Sequence, residues 1–228
     1  EYVQAKLPAL KNRQGKVQES ETGFYPHAGL FSMFHYLRRY PTTETNRNRL
    51  RARMYYQHFL GVNIMELADQ VADAAAIDVK YETPWMEAAD CVVCHRSIDP
   101  VAGLFQDFYN EEGHYGPRKD GWFQDMFVPG LEGEDLPKED KWRSLQWLAE
   151  RTAKDPRFAV AMTEHVWYVL SGRMALRPPQ DIEDPLFTPR RRAYNMQRQE
   201  IAEVWKRCSK ANFTLKRVFK ELARAPVN

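Results

Sequence analysis

Cysteine is scarce in this chain, three in 228 residues, too few for a fold stapled by disulfides. Long apolar runs are missing as well. The richest, "VWYVL" and "AVAM", fall far short of the roughly 20 residues that a membrane-spanning helix needs. Charge of one sign is not in excess: 33 Lys and Arg stand against 31 Asp and Glu, a formal net charge of +2. That excludes a general bias toward nucleic acid and an acidic tail. Internal repeats, paired strand-like segments, a phosphate loop and the pieces of a catalytic triad are absent too. No signal peptide is visible in the sequence, and residue 1 is Glu. The expectation is a processed mature chain or a piece of something longer.

What the chain does have is two of its three cysteines side by side in "ADCVVCHRSIDP", residues 89–100. Covalent c-type haem needs two thiols for the two vinyl groups and an imidazole beside the second thiol for the iron. With Cys91 and Cys94 one helical turn apart, both sulfurs project to one side and His95 is carried under the metal. A structural zinc site would need two further ligands at matching spacing, and neither a second C-x-x-C nor an H-x-x-x-H exists. A redox dithiol shares the C-x-x-C, but it normally sits beside a βαβ pattern, and no strand-rich unit precedes Cys91. One covalently attached haem c is therefore expected, with dithiol and metal as the alternatives. Thioether formation places the chain in the periplasm or another extracytoplasmic compartment. Cys208, alone in "EVWKRCSKANF", reads as a small buried apolar side chain.

The periodicity is helical throughout, so the class is all-α: a cytochrome c-like helical core, a long Gly/Pro-rich loop and additional packed helices. Residues 1–22 read as a polar arm, 23–172 as the haem-binding domain and 173–228 as a C-terminal helical extension. "HAGLFSMFHYLRRY" is apolar-rich and stops before Pro41. "TTETNRNRLRARMYYQHFLG" reads as a helix with Leu50, Met54 and Phe59 on its apolar side and Gly61 as its stop. "NIMELADQVADAAA" continues helical, and Pro84 fits the first turn of a short helix that carries the cysteines. Residues 99–138, dense in Gly and Pro, form the long loop, which calls for something to pack on. "EDKWRSLQWLAERTA" and "DPRFAVAMTEHVWYVLSGR" are helices, the second opening at Asp155–Pro156 and closing at Gly172. "RPPQDIEDPLFTPRRR" is a proline-rich connection. "NMQRQEIAEVWKRCSK" and "FTLKRVFKELARA" are helical again, the last with Thr214 as cap and Leu215, Val218, Phe219 and Leu222 on one face.

Opposite His95 the iron needs a second ligand or an open site. Met126, in "WFQDMFVPGLEGEDLP", follows the attachment helix and precedes another helix, the order of a class I cytochrome c. Its alternative is a plain loop hydrophobe. His114 in "EEGHYGP" and His27 in "YPHAGLF" are the other candidates for the distal side. His35, His58 and His165 read as packed or hydrogen-bonded residues. Pro100 has two readings: its carbonyl accepts the Nδ1–H of His95, as in class I cytochromes, or it ends the haem helix. Trp122, with Phe123, Phe127 and Tyr109, is placed in the wall of the haem pocket.

The block "CVVCHRSIDPVAGLFQDFYNEEGHY" resembles the C-H-x-x-I-D-P-x-G-x-x-x-E-x-F-D-x-x-G pattern of the planctomycete-type cytochrome c-like families of uncharacterised function. "HRSIDP" matches in full, Gln106 or Asp107 stands near the acidic position and Phe108 near the aromatic one. "GFYPHAGLFSM" with "NRNRLRARMYYQHFLG" upstream, and "DPRFAVAMTEHVWYVLSGRMALRP" downstream, are similar to the flanking modules of those families. The resemblance covers roughly residues 23–226. It departs after "LG", where "VNIMELADQVADAAA" replaces a proline-rich run. It implies an exported haem protein and, since family members are usually longer, a C-terminal portion or a separated subunit. It implies no substrate.

Three functions follow as expectations. The first is a mono-haem electron-transfer protein, or a subunit of a larger exported redox complex, working with a redox partner protein and with no nucleic acid. The second is a haem enzyme with an open axial site, peroxidase-like, using His114 or His27 as an acid–base group. The third is a module in which haem mainly staples the loop to the helices.

Overall fold

The computed structural model describes residues 28–66, 82–108, 124–210 and 213–224. Among them the chain is mostly helical, as expected. The helices are α1 (Phe34–Arg39), α2 (Arg49–Phe59), α3 (Pro84–Glu87), α4 (Ala89–Leu104), α5 (Ser144–Lys154), α6 (Pro156–Ser171), α7 (Phe187–Ser209) and α8 (Leu215–Arg224). Strands β1 (Gly130–Leu131) and β2 (Glu134–Asp135) pair antiparallel, Gly130 opposite Asp135. No helix among the described residues is long and apolar enough to cross a membrane.

Two compact units divide the chain: Glu1–Gln57 with Val62–Thr152, and His58–Gly61 with Ala153–Asn228. Thus α6 groups with the C-terminal helices rather than with the cysteine-bearing region, which was expected to run on to residue 172.

The first unit is built around α2 and α4. On α2 the buried face is Ala52, Tyr55 and Tyr56, whereas Leu50 and Met54, expected on that face, are half-buried. Phe31 packs edge-on to Tyr55 at 5.6 Å and to Phe105 at 6.5 Å between ring centres. Trp147 and Leu148 of α5 are fully buried in the same unit; each such apolar side chain contributes about 2–3 kcal/mol by leaving water.

Arg51 is the polar centre of this unit. It is fully buried and donates to the carbonyls of Tyr40 (2.8 Å), Phe108 (2.5 Å) and Leu37 (3.2 Å), and to Asn48 Oδ1 (2.8 Å). One guanidinium thereby ties the end of α1 and the turn after α4 to α2. Burial, partly offset by the nearby Tyr36, lowers its pKa to about 10.

Two non-glycine residues in the left-handed region, Arg47 (φ 47°) and Asn48 (φ 65°), immediately precede α2. Each costs about 1–2 kcal/mol. Asn48 offsets this with its side chain: Nδ2 donates to Phe105 O at 3.0 Å and Oδ1 accepts from Arg51, while its backbone N–H donates to Thr42 Oγ1 at 2.9 Å. The carbonyls at the end of α4 are met in the same manner, Leu104 O by Ser144 Oγ at 2.7 Å and Phe105 O by Asn48.

α4 itself corrects the expectation that the loop begins at residue 99. The helix passes through Pro100 and ends at Leu104. The proline ring forfeits one main-chain bond, but Ile98, Asp99 and Val101–Leu104 are all buried, and that packing outweighs the loss. The β1–β2 hairpin was also unforeseen. Glu132 (φ 50°) and Gly133 (φ 91°) form its turn, and positive φ at both positions is what a two-residue hairpin of this twist demands.

In the second unit, Val166, Val204, Cys208, Val218 and Leu222 form one buried cluster from α6, α7 and α8. Cys208 is fully buried there, as its surroundings suggested. Burial pushes its thiol pKa up. α6 starts and stops where its signals say. Asp155 accepts from Arg157 N at 2.8 Å, and Gly172 closes the helix in the left-handed conformation at φ 68°. Thr214 caps α8 through Arg217 N at 3.3 Å. On α8, Val218 and Leu222 are buried as expected, but Leu215 and Phe219 are exposed. α7 starts at Phe187, well inside the segment read as a connection, because Pro189 falls in its first turn, where no main-chain donor is missed.

Candidate functional site

Cys91, Cys94 and His95 lie on α4 within its first two turns. Both cysteines are half-buried and outside any disulfide. The Cys94 S–H faces the carbonyl of Ile64 at 3.6 Å. Burial, then the neighbouring Cys91, raises the Cys94 thiol pKa. Spacing of three puts the two sulfurs on one side of the helix, with the imidazole beside them.

His95 Nδ1 stands 3.1 Å from Asp99 Oδ1, one helical turn further on. A carboxylate only accepts, so Nδ1 is the donor in this contact, and Nε2 is the ring nitrogen turned away from Asp99. The Pro100 carbonyl was expected in this role. With α4 continuing past Pro100, a side chain one turn ahead of His95 accepts that hydrogen bond, and Pro100 does not end the helix.

Asp99 is fully buried and is held from α2. Arg49 Nε donates to Oδ1 at 2.7 Å and Nη2 to Oδ2 at 3.3 Å. The Arg49 guanidinium also lies over the Trp85 ring, 5.7 Å from its centre. Trp85 of α3 donates its indole N–H to the Asp125 carbonyl at 2.5 Å, and the Asp125 carboxylate pairs with Arg47. Burial pulls the Asp125 pKa up, but the Arg47 hydrogen bond and charge, with a smaller share from Arg49, bring it below the usual carboxylate range. Arg47 and Arg49, two positions apart, therefore hold both Asp125 and Asp99.

Met126, next to Asp125, is buried, at 4% exposed. Three residues on, Pro129 presses against α4: a Cβ on Gly103 would stand 2.7 Å from Pro129 Cγ. The Met126 segment is thus fastened to α3, to the start of α2 and to the far end of α4. Phe127 is half-buried. Trp122, His114 and His27, with Phe123, Tyr109 and most of "NIMELADQVADAAA", lie outside the described residues. His165 Nε2 is 2.8 Å from the His58 carbonyl, and so is hydrogen-bonded.

Asp99, Arg49, Arg47, Trp85 and Asp125 were not found from the sequence. The i, i+4 spacing of His95 and Asp99 was a usable signal, hidden by reading Pro100 as a helix end. Arg49 lies fifty positions from Asp99 in sequence, and no local pattern joins them.

Among the described residues no group of three or more His, Cys, Asp and Glu side chains converges as a metal cage. What α4 does bring together is two thiols outside any disulfide, one turn apart, and an imidazole whose Nδ1 faces Asp99. The chain matches no family model, no curated protein and no solved structure.

Proposed function

We propose that the chain is a mono-haem c-type cytochrome that transfers electrons, alone or as a subunit of a larger exported redox complex. The observation that carries this reading is the C-x-x-C-H stretch on one turn of α4, with His95 Nδ1 held by buried Asp99. Cys91 and Cys94 bind the porphyrin edge through thioethers. His95 offers Nε2 to the iron, and Asp99 keeps the Nδ1 proton in place and fixes the ring plane. The group, when bound, cycles between Fe(III) and Fe(II) and so carries one electron. Met126, in a segment that Trp85 and Arg47 hold by Asp125, would be the second residue to hold the iron. Its burial supports this, because a thioether kept from water suits a closed, six-coordinate carrier. A redox protein is the partner, and the exported compartment is where attachment takes place.

Carbon monoxide tests the reading. The haem-loaded, reduced wild type stays inert to it and, when oxidised, shows the weak red-edge band of a methionine ligand. Met126→Ala loses that band and binds the gas. Rapid binding by the wild type contradicts the electron carrier and favours an open-site enzyme.

A further inference from the structure

The proton on His95 Nδ1 meets a carboxylate rather than a main-chain carbonyl, and that carboxylate is itself gripped by a guanidinium. We propose that Asp99, restrained by Arg49, is a positioning residue that sets the reduction potential of the haem iron through His95. The inference rests on the haem reading above.

A full negative charge at the end of the imidazole N–H makes Nε2 a stronger donor. A stronger donor favours the more positive iron, the ferric state, and lowers the potential. Asp99 is fully buried, so this charge acts through a medium of low dielectric and is felt more than at a surface. Arg49 works against it. Its Nε, at 2.7 Å, reaches the same Oδ1 that faces His95, and its Nη2 takes the other oxygen. Each increment of Asp99 charge drawn toward Arg49 is withdrawn from His95.

Arg49 is held for this purpose by its surroundings. Its guanidinium lies over the Trp85 ring. Arg47 and Asn48, both at positive φ, set where it leaves the chain, and Asn48 is fixed by three hydrogen bonds to other parts of the unit. Opposed charges on one oxygen give a test of sign, which a purely structural contact does not.

Wild type, Asp99→Asn, Arg49→Gln and Arg49→Lys are prepared with haem attached. Haem content is counted as the pyridine haemochrome and folding is checked by circular dichroism. The ferric-to-ferrous ratio is then read at the wild-type midpoint against redox mediators. Asp99→Asn, which keeps shape and removes charge, moves the ratio about tenfold toward ferrous, about 59 mV upward for one electron. Arg49→Gln moves it toward ferric by a similar factor, and Arg49→Lys stays closer to wild type than Arg49→Gln. If Asp99→Asn fails to retain haem, the two Arg49 variants carry the sign alone. Shifts of the same sign in Asp99→Asn and Arg49→Gln, an Arg49→Gln shift toward ferrous, or movements under twofold in every variant overturn the inference. A wild type without covalent haem overturns the haem reading, and this inference with it. A haem-loaded wild type with unmoved variants overturns this inference alone.

Discussion

Replacing Arg51 with methionine removes the polar centre of the first unit while keeping most of its stem. Four acceptors lose their donor: the carbonyls of Leu37, Tyr40 and Phe108, and Asn48 Oδ1. Each hydrogen bond to a charged donor contributes about 1.5–3 kcal/mol, so about 8 kcal/mol is lost with the four. Against this stands relief from holding a charge in the interior. Burial holds the Arg51 pKa down at about 10, well below the ordinary arginine value, and at 1.36 kcal/mol per unit that relief is roughly 3 kcal/mol. The net expectation is a destabilisation of about 5 kcal/mol, comparable with the whole stability of many domains. Arg51→Lys keeps the charge and three donors but not the planar fork, and loses less, about 2–3 kcal/mol. The assay is urea unfolding, with the midpoint compared at constant slope. An Arg51→Met chain within about 1 kcal/mol of wild type would refute the reasoning, since the four bonds would then have no net value.

Gly103→Ala ordinarily favours a helix by about 1 kcal/mol, but here the new Cβ meets the rigid Pro129 ring at 2.7 and 2.8 Å. Overpacking of that kind costs about 1–3 kcal/mol, so a lower thermal midpoint is expected, and a higher one would show that the contact yields freely. His58 has its pKa lowered by burial and then by His165. The folded chain therefore keeps it neutral, while the unfolded chain protonates it near 6.5. Stability is full above that value and falls as pH drops from it toward the folded pKa. Urea midpoints at about pH 5 and 8 should diverge in the wild type, and the divergence should shrink in His58→Gln.

The parts of the fold legible in the sequence are those whose signals are local. Asp155–Pro156 and Gly172 bound α6 because cap chemistry acts over three or four residues. Thr214 opens α8 for the same reason, and Cys91, Cys94 and His95 share a turn because their spacing is that of a turn. Misreadings arose where tertiary packing overrode a local rule. The loop was expected to begin at residue 99, with a helix end as one of two readings of Pro100, yet burial of Val101–Leu104 carries α4 through it. No local pattern marked Arg51, which the carbonyls at the end of α1 and in the turn after α4 draw inward. Leu215 and Phe219 have helical spacing with Val218 and Leu222, but only Val218 and Leu222 are buried. The candidate site divides in the same way. The shared turn of Cys91, Cys94 and His95 was legible, while Arg49 and Arg47, which hold Asp99 and Asp125 from the start of α2 and the residues before it, depend on the meeting of distant segments.

The central claim is that Cys91 and Cys94 bind haem covalently, and mass spectrometry of the denatured chain tests it most directly. The chain is produced in an exported compartment equipped for haem attachment, beside a known c-type cytochrome as control. The account predicts a single haem-sized increment that survives denaturation in the wild type and is lost in the double variant Cys91→Ser, Cys94→Ser. A wild-type chain with the mass of bare polypeptide, while the control carries its haem, would contradict it.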